Sequence, residues 1–245
     1  MERFLGTVAV VTGSGSGIGA AISKELYKRG FTVVGLDINE INLQKLKKEL
    51  NETEYAGEYH AIKCDIRDEQ DVISTFEKIN GIGKISILIN NAGILRHTPI
   101  HEMTSEVFDS LFNTNVKGLV LCARQAIKSM KENSIQGHIV NTCSVCGLPG
   151  WIFNLNIAMY SAAKHAVKVI TDGLRREMIL NKTKIKVSSL SPGFVESGMT
   201  VGHLPSDPFG YIKSEDVANA CIAILDTPPG VTISELTVLP TNEMV

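Results

Sequence analysis

The chain has few cysteines, no long apolar run and no surplus of positive charge, and each lack removes a class of function. Its five cysteines, Cys64, Cys122, Cys143, Cys146 and Cys221, are odd in number and scattered through 245 residues. They do not read as a disulfide framework, so a reducing compartment and a cytoplasmic location are expected. Cys143 and Cys146 form a C-x-x-C. No second Cys pair or His pair at ligand spacing accompanies it, and the expectation is two small residues beside a strand end, with no metal. No apolar run reaches the roughly 18–20 residues of a membrane span. Met1 to Thr7 leads at once into a strand pattern, without the charged and apolar regions of a secretion signal. A formal net charge of −2 offers no basic stripe for nucleic acid. Linkers, repeats and low-complexity tracts are absent too, so residues 1–245 are read as one domain.

What is present is ordinary globular composition, 44% hydrophobic and 20% charged, in a regular alternation of elements. Apolar runs at Thr7–Val11, Phe31–Leu36, His60–Cys64, Ile85–Ile89, Gly137–Thr142, Lys186–Leu190 and Leu236–Leu239 read as strands. Helical stretches fall at Ala20–Arg29, Glu40–Leu50, Asp68–Lys78, Ser105–Lys131 (with an interruption), Tyr160–Leu180 and Ser214–Leu225. Strand–helix alternation of this kind predicts an α/β fold, a single-domain Rossmann-type doubly wound parallel sheet with helices on both faces. Ligands of such sheets lie at the carboxyl ends of the strands, so the chemically loaded residues should follow strands.

They do. Thr12-Gly13-Ser14-Gly15-Ser16-Gly17-Ile18-Gly19 lies between the first strand and the first helix. Glycines there let the backbone turn tightly and approach a pyrophosphate over a helix N-terminus. Asp37 ends the second strand about 20 residues on, where a carboxylate accepts from ribose hydroxyls. It would repel a 2′-phosphate, and neither Ile38 nor Ser16 brings a compensating cation. NAD is therefore expected over NADP.

Tyr160 and Lys164 stand one helical turn apart, with small residues between them, and project from one face. A free phenol ionises near pH 10, and a neighbouring ammonium is expected to lower that value into a range useful for proton transfer. Ser144 follows the strand ending at Thr142 and can hydrogen-bond the oxygen of a reacting carbon. Asn115 lies in a helical stretch, where a structural role and a catalytic one are equally open.

With TGSGSGIG at Thr12–Gly19, Cys64-Asp65, NNAG at Asn90–Gly93, Asn115, Ser144, YSAAK at Tyr160–Lys164 and Pro192-Gly193, the chain resembles the short-chain dehydrogenase/reductase family over essentially its full length. The resemblance implies a catalytic tetrad of Asn115, Ser144, Tyr160 and Lys164. In it Tyr160 is the acid/base, Ser144 positions substrate, Lys164 also holds the nicotinamide ribose and Asn115 binds a water. It also implies Asp65 and Ile66 at the adenine, Asn91 near the adenine ribose, Gly93 in the cofactor site, and Pro192, Gly193, Val195 and Ser197 toward the carboxamide. MERFLGTVAVVTG, GHIVNTCSVCG and ELTVLPTNEMV resemble a narrower group, the insect farnesol dehydrogenase-like and vertebrate member 11 dehydrogenase/reductases. Many of that group carry arginine after strand two and use NADP. Asp37-Ile38-Asn39 departs from that pattern.

Leu148, Trp151, Ile152, Phe153, Leu155, Ile157 and Met159, with Phe194, Met199, Val201, Leu204 and Phe209, fall in the two segments that flank substrate in the family. They favour an aliphatic, terpenoid or steroid alcohol or carbonyl over a sugar or a charged acid. Trp151 and Met199 are the expected contacts, and His97 and His203 are read as surface residues. The expected activity is that of an NAD-dependent alcohol dehydrogenase or carbonyl reductase, assembled as a homodimer or homotetramer, with the cofactor's usual oxidised state favouring the oxidative direction. A non-catalytic module that binds dinucleotide or hydrophobic ligand is the alternative. A third reading, an epimerase or dehydratase that retains its NAD, would call for a longer C-terminal region.

Overall fold

In the computed structural model, residues 1–149, 156–202 and 204–242 are described. The elements run β1 (Val8–Thr12), α1 (Gly17–Lys28), β2 (Thr32–Asp37), α2 (Glu40–Asn51), β3 (Glu58–Lys63), α3 (Glu69–Ile82) and β4 (Ile85–Asn90). There follow α4 (Ser105–Phe112), α5 (Leu119–Glu132), β5 (His138–Thr142), α6 (Ala158–Leu180), β6 (Lys186–Pro192), β7 (Val195–Glu196), β8 (Ile212–Lys213), α7 (Ser214–Leu225) and β9 (Glu235–Val238). The seven-stranded sheet has the order β3-β2-β1-β4-β5-β6-β9, and every pairing in it is parallel.

Local chemistry explains the boundaries. β1, Val-Ala-Val-Val-Thr, is buried at every position, as a β-branched strand covered on both faces should be. The chain leaves α1 through Gly30 at φ +80°, a left-handed conformation that glycine adopts without a Cβ clash. α2 is capped by Asn39, whose side chain accepts from the Asn42 N–H at 3.1 Å. α3 is capped by Asp68, which accepts from the Gln70 and Asp71 N–H groups at 2.8 and 3.3 Å. Each cap satisfies amides that a helix start leaves without partners.

Two packed cores separate the faces of the sheet. On one face Ala9, Val11, Val33, Ile87 and Val140 pack with Ile22 and Leu26 of α1 and with Val217 and Cys221 of α7. On the other, Val10, Val34, Leu88, Ile139 and Val187 pack with Phe76 of α3, Cys122 and Met130 of α5 and Met178 of α6. The pairing of β1 with β4 slips by one residue between Val8 and Ala9, so Ser86 is the extra residue of a bulge. All five cysteines are free thiols buried in the protein.

Between α4 and α5, residues Asn113–Gly118 form a π-helix; the long helical stretch read from sequence is therefore broken, at the residue the family resemblance makes catalytic. The paired β7 and β8 have no counterpart in the sequence reading, since two-residue strands carry no periodicity. No helix among the described residues is long and apolar enough to cross a membrane.

Candidate active site

β1 and β4 are neighbours, and the chain leaves β1 for one face of the sheet and β4 for the other. The crevice that opens at such a switch point is where parallel α/β sheets bind ligands. A cleft of about 510 Å³ lies there, walled by the ends of β1, β2, β4, β5 and β6 and by the segment from Phe194 to Thr200.

The glycine turn is a packing solution. Gly13, at φ +67°, would bring a Cβ to 2.8 Å from the Ala92 Cα, and a Cβ on Gly19 would meet the Gly13 carbonyl oxygen at 2.1 Å. Thr12 Oγ1 accepts from the N–H groups of Asn91 and Ala92, both at 3.0 Å, and the Asn91 side chain donates to the Thr12 carbonyl at 3.1 Å. The loop after β1 is thus pinned to the loop after β4. Beneath it Ser14 shares hydrogen bonds with Ser23 and Tyr59, each at 2.8 Å. Burial pushes the Tyr59 phenol up to about 12, which keeps it neutral. Sequence reading missed this hydroxyl cluster, because Tyr59 is 45 residues away, just before the His60–Cys64 run read as the strand.

Asp37 ends β2 with both oxygens engaged. One accepts from the Gly15 N–H at 2.9 Å and the other from the Asn39 N–H at 2.8 Å. Ile38 beside it is half exposed at the cleft. Asp65 and Arg67 form a bidentate pair, with Arg67 Nη2 to Asp65 Oδ2 at 2.6 Å and Nε to Oδ1 at 2.8 Å; that pairing holds the Asp65 carboxyl below its ordinary range. Arg67, which the sequence reading did not select, lines the cleft with Asp65 and Ile66.

At the other end Ser144, Tyr160 and Lys164 converge. Ser144, in extended backbone just after β5, is hydrogen-bonded to Tyr160 and accepts from the Cys146 N–H at 3.2 Å. The Lys164 ammonium donates to the Thr142 carbonyl at 2.8 Å and lies 5.7 Å from the Tyr160 ring centroid. All three side chains are buried, and all three line the cleft. The expected lowering of the phenol by its lysine is not what the structure gives. Burial, which penalises the charged form of each, raises the Tyr160 phenol and lowers the Lys164 ammonium, while the Ser144 hydrogen bond pulls the phenol back only in part.

Asn115 does not face the cleft. Its amide donates to the Ile94 carbonyl at 2.9 Å and its oxygen accepts from the Ile94 N–H at 2.8 Å. It therefore fixes the strand-like stretch after β4, and a Cβ on Gly93 would come within 2.9 Å of its oxygen. Gly15 and Gly19 also stand behind the cleft surface. The other residues selected from sequence line it: Gly13, Ser16, Gly17, Ile18, Asn91, Gly93, Pro192, Gly193, Val195, Ser197 and Met199. Val201, Leu204 and Phe209 are exposed and stand away from its lining. Trp151, Ile152, Phe153, Leu155 and His203 lie outside the described residues.

Thr142, Cys146 and Thr200 are among the lining residues that sequence reading did not select. Thr142 and Cys146 sit two residues to either side of Ser144, and both are buried at the cleft. Thr200 closes the turn after β7, donating to the Val195 carbonyl at 2.6 Å and accepting from the Ser197 N–H at 3.1 Å.

The residues suit a dinucleotide: glycines let the turn pack against the loop after β4, where a Cβ on Gly13 or Gly19 would clash, and the N-terminus of α1, with Ser16, Gly17 and Ile18, lines the cleft. Comparison with known proteins agrees. A family model described as short chain dehydrogenase matches residues 7–206. The chain is 41% identical to a farnesol dehydrogenase of Aedes aegypti, over 99% of both chains. It is 36% identical to dehydrogenase/reductase SDR family member 11 of Gallus gallus, over the whole of both. An actinorhodin polyketide ketoreductase solved with NADPH superposes with a TM-score of 0.84 at 28% identity, covering 97% of each chain. An alcohol dehydrogenase from Thermococcus sibiricus, solved with 5-hydroxy-NADP, shares the fold with a TM-score of 0.86 at 24% identity, covering 98% of each.

Proposed function

Since the chain belongs to the short-chain dehydrogenase family, we propose that it is an NAD-dependent oxidoreductase acting on an apolar alcohol or its carbonyl, with terpenoid alcohols such as farnesol as the substrate class. The observation that carries this reading is the convergence of Ser144, Tyr160 and Lys164 in a cleft continuous with the Gly13–Gly19 turn.

The family binds nicotinamide dinucleotides. Here the glycine turn and the N-terminus of α1 would hold the pyrophosphate, and Asp37 the adenosine ribose. Ile66 and the Asp65–Arg67 pair would flank the adenine, and Val195 and Ser197 the carboxamide. Asp37 supports NAD over NADP, because its carboxylate would face a 2′-phosphate across a few ångströms. Arg67 offers no ready compensation, because its guanidinium is already committed to Asp65.

When bound, the nicotinamide supplies the hydride acceptor or donor and, oxidised, a positive charge. Tyr160 takes the hydroxyl proton of an alcohol, or returns it to the oxygen of a carbonyl. Ser144 Oγ holds that same oxygen and orients it toward the phenol. Lys164, drawn to Thr142 by its hydrogen bond, keeps a positive charge beside the phenol as it ionises. Asn115 keeps Ile94 in place along the cleft wall.

Ile94, Leu95, Val145, Ile157, Phe194 and Met199 line the substrate end, which supports an apolar chain over a sugar. The farnesol dehydrogenase relative supports the terpenoid class. A screen of linear, terpenoid and steroid alcohols, with NAD and NADP in parallel and absorbance read at 340 nm, tests the reading. We expect farnesol-like alcohols with NAD to give the highest kcat/KM. Turnover with NADP alone would overturn the cofactor assignment, and no oxidation of any apolar alcohol would overturn the substrate class.

A further inference from the structure

In the turn after β1, Gly13, Gly15, Gly17 and Gly19 alternate with Ser14, Ser16 and Ile18. A loop so rich in glycine is free to move unless side chains hold it. Ser14 is fully buried, while Ser16 is exposed at the cleft. Ser14 Oγ shares hydrogen bonds at 2.8 Å with Ser23 of α1 and with the Tyr59 phenol of β3. Tyr59 reaches it from two strands away. In the ladder Tyr59 pairs with Val33, so Gly35 lies on the same face two residues further along β2. The phenol crosses β2 there. A Cβ on Gly35 would stand 2.0 Å from the Tyr59 hydroxyl oxygen and 2.6 Å from Ser14 Oγ, so the absent side chain is the gap through which the two hydroxyls meet. Tyr59 itself is 3% exposed and stands outside the cleft lining. The amides of Ser14 and Gly15 donate to the Leu36 carbonyl and to Asp37, at 3.0 and 2.9 Å. The turn is thus tied to β2 by its backbone and to β3 by its buried side chain.

We propose that Tyr59 is a positioning residue for the cofactor: acting through Ser14, its hydroxyl holds the glycine turn in the shape that receives the pyrophosphate. This rests on the dinucleotide reading above and adds to it a residue of β3 that the sequence motifs do not mark. A turn ordered before its ligand arrives spares the binding step the cost of ordering it. Packing alone does not call for the hydroxyl, because a phenylalanine ring would fill the same place among Ala9, Val11 and Ile22.

Tyr59→Phe tests the assignment. The Kd of NAD and of ADP, by calorimetry, should weaken about 3- to 10-fold, and KM for NAD should rise by more than kcat falls. Adenosine, which has no phosphate, should change by less than about twofold. Ser14→Ala should weaken NAD and ADP similarly. In the double variant the two factors should not multiply, since either change breaks the same bond. Unchanged Kd for NAD and ADP overturns the proposal even where Tm falls, because the hydroxyl would then serve stability alone. Equal weakening of adenosine also overturns it, by moving the effect away from the pyrophosphate, and so does a double variant in which the factors multiply. If the phenylalanine protein does not fold, Ser14→Ala carries the same three binding measurements. Wild-type protein that binds neither NAD nor ADP would fail the dinucleotide reading itself, a different result from equal binding by wild type and variant.

Discussion

Tyr160 carries the most chemistry for its size, and its environment sets what substitution should do. Tyr160→Phe keeps the ring that packs with Leu111, Val145 and Ile157 and removes only the oxygen proposed as the acid/base. We expect kcat to fall by about 10²–10⁴-fold, while NAD binding measured by fluorescence quenching stays within about twofold. Retained turnover would remove Tyr160 from its role. Asp37 is a second single-residue test. In Asp37→Ala, the ratio of kcat/KM for NAD to that for NADP should drop by about tenfold or more. KM for NAD should rise as well, because the amides of Gly15 and Asn39 lose their acceptor.

The element that matters most is the π-helix of Asn113–Gly118. One extra residue per turn re-aims side chains locally, and such insertions recur at functional sites. Asn115 faces Ile94 at the proposed catalytic end, while Lys117 donates to the Arg67 carbonyl at 3.1 Å and Gly118 lies under Ile66 at the proposed adenine end. One short segment therefore braces both ends of the cleft. A Cβ at Gly118 would come within 2.6 Å of Ile66 Cδ1 and 3.1 Å of its backbone oxygen. Gly118→Ala is expected to cost about 1–3 kcal/mol by denaturant unfolding and to raise KM for NAD more than it lowers kcat. A loss of kcat with unchanged KM would show that the segment serves the catalytic end alone. The sequence made this region legible only as a long helix with a break. Hydrophobic periodicity shows that a face is interrupted, since one residue turns it by about 100°, but not how the backbone takes up the interruption.

Across the whole molecule, the strands of the seven-stranded sheet, their parallel pairing and the glycine turn were legible because each follows from a local rule: β-branched runs, strand–helix alternation, glycines where backbone must approach backbone. What was illegible depends on which side chains the folded backbone brings together, near or far along the chain. Ser14 meets Tyr59, Arg67 takes up Asp65, and Thr200 closes the Val195–Ser197 turn through bonds no pattern announces. The phenol's upward shift was illegible for the same reason, since burial is a property of the folded chain. His138 is another case. It lies fully buried at the start of β5, bonded to Ser188 at 2.9 Å, with Lys186 and Arg3 nearby. Burial first, and then those cations, press its imidazole down to about 3. The unfolded chain, protonating near pH 6.5, binds the extra proton between about pH 6.5 and 3. Stability must therefore fall as pH drops through that window and gain nothing from His138 above it. Urea unfolding at pH 7.5 and 5.5 should show the loss, approaching 1.4 kcal/mol per pH unit at its steepest. His138→Gln should flatten it; an equal slope in the variant would assign the loss elsewhere. Exposed Val169, Ile179 and Leu180 of α6 and Val120 of α5 support self-association. Light scattering is expected to give two or four times the 26.6 kDa chain mass, and a monomer at micromolar concentration would refute it.

The carboxylate that ends β2 has a consequence for how such proteins change allegiance between the two pyridine dinucleotides. Its oxygens already tether the Gly15 and Asn39 peptides, so the atoms proposed to face the adenosine ribose also hold the turn after β1 to the turn after β2. A lineage that replaces this acid with a base must first find other acceptors for two orphaned amides. Swaps of preference made at that point alone should therefore yield weakened, loosened enzymes before they yield selective ones.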